Sequence, residues 1–164
     1  VASHAMRFVD TRDLLGIGAG ERRYLEPALH IASATPPDAV IVAMQHSGSV
    51  RYYSGRLSLR WDNLDPAWLD RSVAFLRERG IAPYLLVEDW EEKEFRTRFA
   101  GQRTIADLDR GPIATARSGD IRLYSLQPGS PSPPAPIALP ITDDRTCYEV
   151  SPDFAAPRAI GRLR

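Results

Sequence analysis

Ala39-Val40-Ile41-Val42-Ala43-Met44 is an unbroken apolar run, entered from Pro36-Pro37-Asp38 and left through the polar segment Gln45-His46-Ser47-Gly48-Ser49. A strand with one face in water alternates apolar and polar side chains. A strand apolar at every position needs cover on both faces, as inside a parallel sheet layered between helices. That need constrains the fold more than any other feature of the chain.

The flanking pattern supplies the cover. Glu21–Ala34 reads as a helix with Tyr24, Leu25, Ala28, Ile31 and Ala32 on one face; Pro27 predicts either a start near Leu25 or a kink. Ser49–Ser54 reads as a short helix ending at Gly55, and Leu57–Arg60 as a second strand. Asp65-Pro66 opens the clearest helix, with an aspartate cap, proline at the first helical position, a stripe of Leu69, Val73 and Leu76, and Gly80 as its stop. Tyr84–Glu88 is a third strand. Asp89 and Glu92 fit a capping box for the next helix, in which Phe95 and Phe99 face inward. Ile113–Arg117 and Ile121–Leu126 flank Ser118-Gly119-Asp120, a hairpin pattern. The alternation predicts an α/β fold over residues 21–126: a Rossmann-like layered domain with a mostly parallel sheet and a C-terminal β-hairpin.

The ends differ in character. Val1–Met6 reads as a leftover of cloning, and a chain opening on Val suggests a piece excised from something longer. Gly16-Ile17-Gly18-Ala19-Gly20 lacks both a preceding strand and the G-x-G-x-x-G spacing, so residues 1–20 are read as remnant and flexible lead-in rather than a dinucleotide loop. Residues 127–164 are read as a proline-rich linker and tail. Gln127–Pro140 holds six prolines, a stretch that suits an extended strap and not a core. Thr146–Val150 could add an edge strand, and the last dozen residues are expected to be loosely held.

Composition narrows the function classes. Of the 164 residues, 21 are acidic and 21 basic, so net charge marks the chain neither for nucleic acid nor for a membrane surface. Lys93 is the only lysine, leaving 20 arginines, a bias that a GC-rich genome explains as well as selection for anion binding does. Cys147 is alone, so neither an internal disulfide nor a cysteine-rich metal site can form. No apolar run approaches the ~18 residues that a membrane-spanning helix needs.

In open α/β sheets, ligands bind beyond the carboxyl ends of strands. Two such ends are polar here. After the first strand, His46, Ser47, Gly48 and Ser49 enter a short helix, with Arg51 and Arg56 nearby; helix-start amides, hydroxyls and guanidinium groups suit a phosphate or carboxylate. The plainer account is that Ser47 or Ser49 caps that helix. Ser47 and His46 do not read as a catalytic pair, because chain neighbours rarely aim at one another and the G-x-S-x-G elbow is absent. After the third strand, Glu88 and Asp89 precede Trp90, a set that could hold sugar hydroxyls or a hydrated cation. Capping and the helix dipole account for the other acidic residues there, but not for Glu88. Trp61-Asp62 reads as a ring against the core and a loop carboxylate, and His4 and His30 have no companions from which to assemble a zinc site. No cofactor or metal is called for.

The segments Asp38–Ile41, Gln45–Arg56, Leu59–Asp62, Asp65-Pro66 and Glu88–Glu91 together resemble the C-terminal extramembrane domain of some bacterial dolichyl-phosphate-mannose protein mannosyltransferase-like enzymes. These are polytopic glycosyltransferases of the GT-C type, and the resemblance covers roughly residues 20–126. It implies a non-catalytic accessory domain on the extracytoplasmic, periplasmic face, fed by a polyprenyl-phosphate sugar donor. Its partners would be the membrane part of its own parent chain, a polyprenyl-phosphate sugar or an acceptor. That superfamily's catalytic carboxylate lies in a loop between membrane helices to which nothing here corresponds, so no catalytic residue carries over. The alternatives are a free-standing α/β enzyme or nucleotide/phosphosugar-binding protein using loop 45–56, and a plain protein-interaction module.

Overall fold

The apolar run forms β1 (Val40–Ala43), every residue of which is buried. The computed structural model describes residues 17–116, 119–129, 137–138, 146–149 and 158–162, with side chains for 23–116 and 119–129. The expected lead-in before Ile17, most of the proline-rich stretch, Arg117, Ser118 and Val150 lie outside these residues.

β1 pairs in parallel with β2 (Leu57–Arg60) on one side and β3 (Pro83–Glu88) on the other, in the registers Val42↔Leu59 and Val42↔Leu85. Beyond β3 the direction changes. The hairpin of β4 (Ala114–Ala116) and β5 (Ile121–Ser125) docks through its second strand, so that Leu86 faces Leu123 in an antiparallel ladder. The result is an open, mixed five-stranded sheet, ordered β2-β1-β3-β5-β4, with the two-residue β6 (Ile137–Ala138) beside β4. The hairpin is as expected. The parallel run β2-β1-β3 stops at β3, because the second strand of the hairpin, β5, rather than the first docks against it. β7 (Thr146–Glu149) pairs with β8 (Arg158–Arg162) in a separate ribbon, rather than edging the main sheet, and β8 falls within the dozen residues expected to be loose.

Alternation along β1 and β3 divides the core. Val42, Leu85 and Val87 point to one side, packing with Trp61, α2 (Leu69–Glu78) and α3 (Asp89–Arg98) through Leu69, Val73, Phe95 and Phe99. Trp61 is fully buried, as expected, with its ring edge-on to Phe95 at 5.5 Å. Ile41, Ala43 and Leu86 point to the other side, against Ile31 of α1 (Ile17–Ala34) and Val50 of the π turn Val50–Ser54.

α1 departs from expectation. It begins at Ile17, not at Glu21 or Leu25, and runs on through Pro27. Proline costs one intrahelical donor, which burial of Ala28 and Ile31 against the sheet outweighs. The Gly18-Ala19-Gly20 segment is therefore helical, not a flexible lead-in. Asp65 caps a 3-10 turn, Pro66–Trp68, with Oδ1 accepting from the Ala67 amide at 2.8 Å, and α2 proper begins only at Leu69, later than the Asp65-Pro66 start expected. It ends at Gly80, φ +73°, where the amides of Gly80 and Ile81 return to the Arg77 and Leu76 carbonyls. A short helix α4 (Ile105–Leu108) follows α3, its start bound by Asp70, which accepts from the Arg103 and Thr104 amides.

Phe95→Ala is expected to lower stability by about 3–5 kcal/mol, since it empties the contact with Trp61 and Phe99, whereas Phe75→Ala at an exposed position stays within ~1 kcal/mol. Urea unfolding of the two variants tests the assignment of core and surface.

Candidate functional site

The chain leaves β1 towards β2 and leaves β3 towards the hairpin on the opposite side, so the connections diverge at the carboxyl ends of these neighbouring strands. In open α/β sheets the ligand crevice lies at such a switch point. The two polar segments read separately in the sequence meet there.

Glu91 joins them. Its carboxylate accepts the Gln45 amide at 2.9 Å and the Glu88 amide at 2.7 Å, linking the end of β1 to the end of β3 from beneath. The side chain is fully buried, and burial pushes its carboxyl above the ordinary glutamate range despite the two accepted bonds. The capping box of α3 is thus Glu88 with Glu91, one residue earlier than the Asp89–Glu92 register expected. Burial selects that register, because only Glu91 reaches the Gln45 amide across the crevice.

Glu88 is saturated. Oε1 takes Arg23 Nη2 at 3.0 Å and His46 Nε2 at 3.0 Å; Oε2 takes the Trp90 indole N–H at 2.7 Å. Burial works to raise its carboxyl, and the bond from Trp90, the Arg23 charge and the contact with His46 outweigh it, holding the group below its usual range. His46 is buried under Tyr24, ring centroids 5.4 Å apart, and the Tyr24 hydroxyl accepts from Gln45 Nε2 at 2.8 Å. The crevice is floored by a closed network, while Trp90 and Gln45 remain exposed at its mouth.

The other candidates divide. Ser49 Oγ donates to the His46 carbonyl at 3.0 Å, and no side-chain cap opens the turn at Ser47–Ser49, so neither serine caps it. Gly48 and Arg51 are exposed beside the crevice, and Ser47 is half-buried. Arg56 is turned away: its guanidinium donates to the carbonyls of Ala32 (2.8 Å), Thr35 (2.8 Å) and Ser54 (3.1 Å), closing the C-terminus of α1. It is a structural clasp and does not face the loop. Asp89 pairs with Arg122 at 2.5 Å on the hairpin side. There Glu92 accepts from Arg96, Arg122 and the Tyr124 hydroxyl, and burial with the Glu92 bond pushes the Tyr124 phenol up to about 12.

Sequence reasoning missed Arg23, Tyr24 and the bridging role of Glu91. The first two come from α1, 65 and 21 residues from their partners, and no local pattern announces such contacts. Chemically, a histidine oriented by a carboxylate resembles a base pair seeking a nucleophile, but Ser49 is bonded to a carbonyl and His46 is sealed from solvent. Among the described residues, no group of three or more His, Cys, Asp or Glu side chains could hold a metal ion, and no helix is long and apolar enough to cross a membrane. No protein-family model matches the chain, and no curated protein or solved structure is significantly similar to it.

Glu91→Gln leaves one oxygen for two amide donors, so a loss of about 1–3 kcal/mol in unfolding free energy is expected. Glu88 and Glu92, held low in the folded state, stabilise it at neutral pH and lose that contribution as pH falls below about 4.3. Glu91, held high, acts in the opposite sense and gains on acidification. Urea midpoints should therefore drop below that pH and the drop should shallow in Glu88→Gln; an unchanged acid limb would contradict the network.

Proposed function

We propose that this chain is a non-catalytic, extracytoplasmic accessory domain of a polytopic membrane glycosyltransferase using a polyprenyl-phosphate sugar donor. Its crevice between β1 and β3 holds a glycosyl-bearing ligand. The observation that carries the binding half is the state of Trp90: its ring is 53% exposed, yet its indole N–H is fastened to Glu88. A pinned aromatic face beside an exposed amide, Gln45, offers a sugar a stacking surface and a hydrogen-bonding partner without an ordering cost. The saturation of Glu88 and the burial of His46 argue against catalysis at the same place. The parallel order β2-β1-β3, with the crevice where the connections diverge, supports a Rossmann-like reading of this half of the sheet. The membrane-enzyme half of the reading rests on the resemblance carried by Gln45–Arg56 and Glu88–Glu91.

Two measurements test it. The gene upstream of Arg7 is expected to encode a series of hydrophobic helices; a reading frame opening at Met6 would sink the membrane-enzyme half. Titration with mannose, mannosides and sugar phosphates, followed by the indole N–H resonances, is expected to move the Trp90 signal, and Trp90→Ala to abolish binding. Silence towards neutral saccharides with a response to nucleotides or sugar phosphates would instead favour the free-standing phosphosugar binder, working from Ser47, Gly48, Ser49 and Arg51.

A further inference from the structure

α2 buries Leu69 and Val73 and turns its opposite side to solvent. On that outer side, Trp68 at the helix start and Phe75 two turns on are 53% and 52% exposed. Arginines alternate with them. The Arg71 guanidinium carbon lies 5.8 Å from the centre of the Trp68 ring, and that of Arg79 lies 3.5 Å from the centre of the Phe75 ring. Trp68, Arg71, Phe75 and Arg79 follow one another at steps of three and four, so they form a single stripe along the helix. Two acidic residues flank its arginines: Asp70 is engaged by the Arg103 amide and by Thr104, while Glu78, three residues past Phe75, lies on the stripe's own side. Isolated exposed rings are common on proteins; two rings and two cations in register are a pattern.

We infer that this stripe docks the domain on an anionic lipid surface, with Trp68 and Phe75 entering the headgroup layer and Arg71 and Arg79 meeting lipid phosphates. The charge is complementary: the Arg71 and Arg79 guanidinium groups stand against the exposed rings on the same stripe, so lipid phosphates can meet them where the rings enter the headgroup layer. Extent weighs against a protein partner: a stable protein interface needs roughly 800 Å² a side of matched surface, and one stripe of four side chains is narrower than that. A bilayer asks only for depth and charge. The stripe is separate from the crevice, and the inference stands or falls independently of what the crevice holds.

Flotation of the full chain with vesicles of phosphatidylglycerol and, separately, of phosphatidylcholine tests it. Binding to the first is expected to exceed binding to the second and to fade with added salt. Arg71→Glu with Arg79→Glu is expected to lower partition onto phosphatidylglycerol by about tenfold or more, and Trp68→Ala with Phe75→Ala to abolish it. Thermal melts check that both double variants fold; the arginine pair, wholly on the surface, keeps the test valid if the aromatic pair does not. Equal partition onto both lipids, or wild-type binding by the arginine variant, would overturn the inference. So would loss of vesicle binding in Trp90→Ala alone, which would place the lipid at the crevice. Self-association in the absence of vesicles that Trp68→Ala with Phe75→Ala removes would assign the stripe to a protein contact instead.

Discussion

A single buried carboxylate holds the two working edges of this domain together. Glu91 accepts one amide from the end of β1 and one from the end of β3, so each strand end is tied to the first turn of α3. Everything placed at the crevice inherits its position from that link. His46 follows Gln45 in the chain, and Trp90 lies between the two glutamates. The arrangement is costly, since burial opposes the charge on Glu91. It persists because the alternative leaves two partly buried amides without acceptors.

Around this link the charges are graded by surroundings. Glu88, one turn from Glu91, meets Arg23, His46 and Trp90 and stays ionised. Glu92, on the hairpin side, meets Arg96, Arg122 and Tyr124 with the same result. The three glutamates among the five positions 88–92 thus serve different ends: one closes the crevice floor, one ties strands, one anchors β5. Similar side chains acquire different work from what faces them.

This also explains what could and could not be read in advance. β1, the helix from Asp65-Pro66 to Gly80 and the hairpin around Gly119 were legible because each is announced by neighbours in the chain: an apolar run, a cap and a stop, a turn between two strands. Residues 45–49 and 88–91 were each legible as polar strand ends, but their meeting was not, because it depends on β1 and β3 being neighbours in the sheet, which no local signal gives. The capping register was misplaced because Asp89, Glu91 and Glu92 look equivalent until burial distinguishes them. Arg56 looked like part of a binding loop because proximity in sequence says nothing of direction, and it turns back to α1. The antiparallel docking of β5 is a long-range choice, invisible to any local signal.

The connection from β1 to β2 carries only the brief helical stretch Ser47–Ser54, far shorter than a full crossover helix. One face of β1 must therefore be roofed by α1, which precedes the strand it protects. The cooperative unit then extends upstream of the first strand, and the bond between Arg23 and Glu88 spans 65 residues. Contacts of such separation carry a loop-closure cost before they contribute anything. The crevice is thus assembled from segments far apart in the chain, α1 and the end of β3, and its completion reports that the layers around β1, rather than a local motif, have formed.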